Sequence, residues 1–567
     1  MAIELLPASI DTKAVKSSKD EDRLIGHLKD LKEESSEHKK KCASEDEDKS
    51  SLELYRGKYQ PKGRDAYFSC DFIQAFIDRM VAQLTDNRPI LRIEHRKEKL
   101  KKTAKALEKV MGGVWQECDM QRQTFKMVHN AAIRRSAGIY VGYDSKDPYL
   151  EMLTKDQVWM DPQVNEAALL DKGEYVIIER CKPLAELQKR FPGRGALVKA
   201  DDVKYGKDKG GSWMKSPVTA LMGFGNKKFE NSVVPRAYVN EALIKDRQCQ
   251  ADGKELFPFG RRILYTKDVV LWDGPIPFWD GLFPVDWFDW SVDPEHPWGI
   301  SAPMQMKRLQ LAFNEILDGT VSNVILSNFL TISGVHDALD ISQWKNLQKI
   351  TNSLILRQTS LNKPVTVTAP PIYGDQQMNI AKQLFTYAQL LMGVTDVTLG
   401  DQPGSLQSGQ AIEGLQEAAN LMTRARASRL EDFYARVGSK LMARVLQFWP
   451  ADRVFHLLGP TDEAVEYTIN RNELFIDPET SMPVSADVRR DVFQYLRFAI
   501  LPGSSAPGTR ARRAEMALRL NMAGMASRKY VLQSADFQNA DEMLKEAEED
   551  FKSFPPAGFK RVAQGDK

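Results

Sequence analysis

Apolar residues recur at helical spacing in two long stretches near the middle of the chain and at alternating spacing on either side of them. The first stretch, within WGISAPMQMKRLQLAFNEILDGTVSNVILSNF, starts with Ser301 placed to cap a helix and Pro303 just inside it, the preferred order at a helix start. Leu309, Phe313, Ile316, Leu317, Val321 and Val324 then form a broad apolar stripe. About 26 residues at 1.5 Å each give a rod of roughly 40 Å. Such a rod is either a core helix of a large domain or a helix packed against copies of itself in neighbouring subunits. Residues 329–373 break the pattern: FLTISGV, SLILRQ and KPVTVTAPP read as strands and ISQWKNLQK as a short helix. Residues 376–392 return to helical spacing, with Ile380, Leu384, Tyr387 and Leu391 facing one way. An insert entered and left through helices belongs at the far tip of a two-helix stalk.

VTDVTLGDQPGSLQS is a loop by composition. Ser408 can cap the helix that follows and runs to about Trp449, roughly 60 Å if unbroken, with Gly414 and Gly438 as the places where it would bend. Leu430, Phe433, Val437, Leu441, Val445 and Phe448 mark its buried face. Arg424, Arg426, Arg429, Arg436 and Arg444 read as a solvated face, with ion pairs one turn apart to residues such as Glu431.

The first half of the chain reads as α+β. Residues 12–51 are dense in charge of both signs and poor in aromatics, which predicts a flexible arm or a solvated helix. FIQAFIDRMVAQLTD is an amphipathic helix ended by Asn87-Arg88-Pro89, and ILRIEH a short strand. Residues 97–136 predict two helices broken near Gly112-Gly113. GIYVGYD and YLEMLTKDQVWMDP predict strands, YVIIERCKPLAELQKRFPG a strand turning into a helix, and VVPRAYVNEAL with RRILYTKDVVLWDG a meander. Residues 199–231, rich in Gly, Lys and Ser, predict a loop. Past Pro450, RVFHLLG and AVEYTINRNELFID read as strands, and DVRRDVFQYLRFAIL and TRARRAEMALRLNMAG as helices.

PFWDGLFPVDWFDWSVDPEHPWG interleaves Trp279, Trp287, Trp290 and Trp298 with Asp280, Asp286, Asp289, Asp293 and Glu295. Aromatics beside carboxylates suit a sugar site in which two carboxyls flank a glycosidic bond. The simpler reading is an aromatic cluster that pins the root of the next helix, since Pro284, Pro294 and Pro297 stiffen the segment.

Composition narrows the function more by exclusion. The 567 residues suit three or four domains at roughly 150 residues each. Lys+Arg numbers 79 against Asp+Glu 77, which argues against a tight binder of nucleic acid over a broad basic face but permits DNA to slide past. The five cysteines, Cys42, Cys70, Cys118, Cys181 and Cys249, never pair as CxxC, so reduced structural thiols are expected. No apolar run nears the roughly 20 residues needed to span a bilayer, and MAIELLPASIDTKAVK lacks the order of a signal peptide. There is no GxxxxGK[ST], GxSxG or HExxH, and the seven histidines are scattered singly. No cofactor and no metal are expected, and the weight falls on a structural or conduit role.

IDRMVAQLTDNRP, AIRRSAGIYVGYD, VWMDP, YVIIERCKPLAELQKRFPG, HPWGISAPMQMKRLQLAFNEI and GVTDVTLGDQPGSLQSGQAIEGLQEAANLMTRA, in that order over residues 52–554, resemble bacteriophage portal proteins, most closely those of short-tailed phages. The resemblance implies an α+β portal fold that forms a dodecameric ring at one capsid vertex. The charged arm (1–51) lies outside it; the resemblance implies an α+β wing (52–300), a first stem helix (301–328), a β-rich clip (329–375), a second stem helix (376–394), a tunnel loop (395–407), a long wing helix with strands (408–486), and a helical crown with a tail (487–567). The tunnel loop would put Asp401, Gln402, Ser405, Leu406 and Gln407 toward double-stranded DNA passing through the channel. Trp344, Lys345, Lys349, Arg357 and Lys363 of the clip would dock the terminase large subunit and then the head-to-tail adaptor. Leu309, Phe313, Leu317, Val321, Leu384 and Leu391 would line the subunit interface, with the tryptophan cluster as a further candidate. Major capsid and scaffolding proteins are the other implied partners; assembly would take place in the host cytoplasm, with no membrane and no catalysis by this chain. Two other functions are open to the sequence: a carbohydrate-active hydrolase using Asp286, Asp289 and Asp293, or another virion structural protein such as a tail or scaffold subunit.

Overall fold

The computed structural model describes residues 19–59, 69–144, 146–201, 234–248, 255–327, 331–333, 366–368, 374–393, 421–449, 454–458, 464–468, 490, 493–502, 509–525, 527–528 and 531–532. Its helices are α1 (Lys19–Cys42), α2 (Glu45–Tyr55), α3 (Ile73–Thr85), α4 (Lys101–Glu117), α5 (Met120–Arg134), α6 (Leu184–Arg190), α7 (Ala302–Ser327), α8 (Gly374–Met392), α9 (Leu421–Phe448) and α10 (Thr509–Met522). Its strands are β1 (Leu91–His95), β2 (Ser136–Asp144), β3 (Asp147–Thr154), β4 (Val158–Met160), β5 (Tyr175–Pro183), β6 (Arg236–Ile244), β7 (Arg261–Tyr265), β8 (Val270–Pro275), β9 (Val285–Asp289), β10 (Thr331–Ser333), β11 (Thr366–Thr368), β12 (Val454–Leu458), β13 (Ala464–Thr468) and β14 (Leu496–Ile500). The chain divides into one compact unit of residues 1–48, 78–302 and 420–567, and a second of residues 49–77 and 303–419.

The larger unit is built on an antiparallel five-stranded sheet in the order β4-β5-β6-β7-β8. Side chains alternate across a strand, and both faces of this sheet are covered. Tyr175, Ile177, Ala242, Ile244 and Ile263 point to one face and bury Leu24, Ile25, Leu28 and Leu31 of α1. Val176, Ile178 and Leu243 point to the other and pack with Phe283, Trp287 and Trp298. That two-sided burial is why YVII is a continuous apolar run rather than an alternating one. A second sheet, β3-β2-β9, and the antiparallel pairs β1-β14 and β12-β13 belong to the same unit.

Four expectations change here. The charged arm is ordered over α1 and α2: Leu24 and Leu28 are fully buried. Glu21 accepts hydrogen bonds from the Val270 amide at 2.8 Å and from Arg194 at 2.7 Å, and the Tyr175 hydroxyl donates to the Leu31 carbonyl at 3.0 Å. Two of the lysines that make the segment look solvated place their ammonium groups over an aromatic ring, with Lys32 Nζ 4.1 Å and Lys39 Nζ 4.9 Å from the Trp159 centroid. The break between α4 and α5 falls at Asp119, which has φ 52°, and not at Gly112-Gly113 inside α4. Residues 496–500, read as helical, form β14 against β1, with Phe498 opposite Ile93. Finally, Gly438 lies inside α9 rather than at a bend: a Cβ there would sit 2.0 Å from Phe498 Cε1, so the glycine lets β14 approach the helix.

In the smaller unit, α7 begins where Ser301 and Pro303 predict, and α8 spans the second predicted stalk helix. Phe72, Phe76, Phe313 and Phe385 form an aromatic cluster with centroids 5.3–5.7 Å apart along the pairs Phe72–Phe76, Phe72–Phe313, Phe72–Phe385 and Phe76–Phe385. Gln310, fully buried, accepts from the Phe72 amide at 3.2 Å and donates to the Cys70 carbonyl at 2.9 Å. β10 and β11 pair antiparallel, Ile332 opposite Val367, and tie the start of the predicted insert to its end.

Candidate assembly and channel elements

α9 carries a row of bases that meets carboxylates inside the fold. Arg429, Arg436, Lys440 and Arg444 meet carboxylates of β9 and of the segment before it in reverse chain order. Arg429 Nη1 lies 3.3 Å from Asp289, Arg436 Nε 3.0 Å from Asp286, Lys440 Nζ 3.0 Å from Asp286 and 3.1 Å from Asp171, and Arg444 Nη1 2.7 Å from Asp280. Lys440, Asp286, Arg444 and the Asp280 side chain are at most 3 % exposed. Burial lifts the Asp286 carboxyl above its ordinary range, against the pull of Lys440 and Arg436. Burial likewise lowers Arg444, against Asp280. The expected solvated arginine face is therefore an ion-pair ladder, buried at Lys440 and Arg444 and half-buried at Arg429 and Arg436. Arg426 differs: its guanidinium lies 4.9 Å from the Trp290 ring, and burial beside Arg429 lowers it to about 10.

The ladder changes the reading of the tryptophan-aspartate segment. Trp287 and Trp290 are fully buried and Trp298 is 1 % exposed, so they face the chain's own core and leave no surface for a neighbouring subunit. Asp286 and Asp289 are held by cations and Asp293 sits 3.5 Å from His296, so the three do not form an open acid-base pair. Among the described residues no group of three or more metal-ligating side chains is placed to hold a metal ion. The signal that sequence reading passed over was the order of charges: acids at 280, 286 and 289 against bases at 444, 440, 436 and 429.

The predicted interface residues divide. Leu309, Phe313, Leu317 and Leu384 are half-buried, and Phe313 is already committed to Phe72 at 5.4 Å between centroids. Val321 is 37 % exposed and Leu391 45 % exposed. On α8 the small residues Ala381 and Ala388 turn inward with Met392. Ile380, Tyr387 and Leu391 remain 45–55 % exposed along the row beside them, at the spacing of one helical stripe. Trp344, Lys345, Lys349, Arg357 and Lys363, and Asp401, Gln402, Ser405, Leu406 and Gln407, lie outside the described residues.

A family model described as phage P22-like portal protein matches residues 62–561. The chain belongs to the phage P22-like portal protein family. No curated protein matches it. The portal match takes in the ladder, α7, α8 and the segments between them, whereas α1 and α2 lie ahead of it. The portal family is structural and non-enzymatic, and the protein is a component of the virion. No helix among the described residues is long and apolar enough to cross a membrane.

Proposed function

We propose that copies of this chain close into a dodecameric ring at one capsid vertex of a short-tailed phage, assembled in the host cytoplasm, through which DNA is packaged and ejected. The exposed stripe Ile380, Tyr387 and Leu391 on α8 carries this reading. A row of large apolar side chains left exposed on a helix calls for a partner, and burying each is worth roughly 1.5–3 kcal/mol. Ring closure requires a heterologous contact, in which one face of a subunit meets a different face of the next. In this reading α7 and α8 are the stem, residues 329–375 the clip, residues 395–407 the tunnel loop, and the segment from α10 onward the crown, shortened because β14 belongs with β1.

The near balance of 79 basic and 77 acidic residues suits a conduit. Each phosphate neutralised by a cation releases counterions and adds affinity, so a strongly basic wall would hold its load. In the ladder the strongest cations are spent on the chain's own carboxylates. Gln402, Ser405 and Gln407 would touch DNA through weak polar contacts and Asp401 would repel it. The clip, through Trp344, Lys345, Lys349, Arg357 and Lys363, would dock the terminase large subunit and then the head-to-tail adaptor. Major capsid and scaffolding proteins would surround the ring. Hydrolysis of ATP would belong to the motor and not to this chain. Replacing residues 401–407 with a Gly-Ser linker tests the conduit: assembly should persist while DNA packaging or retention falls, and normal packaging would count against it.

A further inference from the structure

A cleft of about 450 Å³ opens on the face of the five-stranded sheet opposite α1, between the β2-β3 hairpin and α6. Its volume falls within the range of small-ligand pockets. At its floor Glu241, 2 % exposed, accepts from the Tyr140 hydroxyl at 3.0 Å, Arg180 Nη1 at 2.5 Å and Arg262 Nε at 2.6 Å. Burial would raise this carboxyl, but Arg262 and Arg180 hold it below its ordinary value. Arg180 Nε also donates to both oxygens of Glu151, at 2.9 and 3.1 Å. On the rim, Lys182 is paired with Glu186 at 3.2 Å.

One donor remains open to the cleft after this accounting. Arg180 Nη2 has no hydrogen-bond partner among the described residues, but it is buried and out of a ligand's reach. Arg190, exposed on α6, has a ring contact with Phe191 at 5.9 Å and no carboxylate partner among the described residues. The rest of the wall is apolar or aromatic: Leu187, Phe191, Val239, Leu264 and Tyr149. Glu151, Glu186 and Asp144 line the same cleft and would repel a phosphate dianion or a polyanionic backbone. A single carboxylate attached to an apolar body carries less charge than a phosphate dianion and is repelled less.

We infer that this cleft is a binding site for a carboxylate carried on an apolar body, the chemistry of an apolar residue at the C-terminal end of a peptide. The carboxylate takes the exposed Arg190, and the apolar side chain lies against Leu187, Val239 and Leu264. Nothing in the ring or conduit reading requires this site, so the two stand or fall separately. Saturation-transfer NMR on the purified full-length protein tests it with N-acetyl-leucine, N-acetyl-leucinamide, the acetylated tripeptide Gly-Gly-Leu with a free carboxylate, and inorganic phosphate. Both free acids should bind, with the amide about tenfold weaker, the scale of one charge-assisted hydrogen bond, and phosphate should not compete. A tighter tripeptide points to a chain end as the natural ligand, and equal affinity to a free small acid. Arg190→Gln, on an exposed helix position, should weaken the acids about tenfold and leave the amide unchanged. Absence of acid binding, equal binding of acid and amide, or acid binding unchanged in Arg190→Gln would overturn the assignment.

Discussion

The pair Arg444–Asp280 is the sharpest place to test the buried ladder. Its side chains are 0 % and 1 % exposed and 2.7 Å apart, with the guanidinium 3.5 Å from the Phe278 ring. Taking two ions out of water costs nearly as much as their attraction returns, so the intact pair adds little net stability, yet losing one partner leaves an uncompensated charge and costs about 3–5 kcal/mol. Arg444→Met keeps the apolar stem and removes the charge, which strands the Asp280 carboxylate. Asp280→Leu strands Arg444 in the same way. The double substitution strands neither, so it should be less destabilising than either single change, with a coupling on the order of 3 kcal/mol. Equilibrium urea unfolding followed by tryptophan emission is the assay, because Trp279, Trp287, Trp298 and Trp449 are buried and report water entry. Additive losses, or single changes costing under about 1 kcal/mol as at exposed pairs, would refute the reasoning.

Tyr387→Asp, at a position 55 % exposed, should leave helical content by circular dichroism unchanged while sedimentation shifts to dissociated chains; unchanged assembly would remove α8 from the interface. Gly438→Ala should destabilise the protein by about 1–3 kcal/mol in thermal unfolding, because the new methyl meets Phe498, and Phe498→Leu in the same chain should recover part of the loss. Lys39 gives a pH signature. Burial, with Lys155 nearby, lowers it to about 7, so between pH 7 and 10.5 the unfolded chain binds more protons there and the stability contribution rises with pH. Lys39→Met should flatten that rise in the thermal midpoint between pH 7 and 10, and an identical slope in the variant would contradict the burial of its amine.

Features encoded within a dozen residues were legible from the chain. Ser301 with Pro303 marks the start of α7, and the switch from strand to helix at Pro183 and Leu184 appears where the β-branched run gives way to helical spacing. The features that were misread depend on partners far along the chain. Charge on α1 suggests solvation, yet its four apolar residues find the β5-β8 face more than a hundred residues away. Helical spacing around residues 487–501 hides the alternation of LRFAI, which β1 selects by pairing. The arginines of α9 look like a wet face until Asp280, Asp286 and Asp289 are laid beside them.

The central claim is that identical chains surround an axial pore. Class-averaged electron micrographs of the purified full-length protein test it most directly. Closed rings with twelve subunits and a central hole are predicted, and particles that remain compact single chains at high concentration would contradict the account.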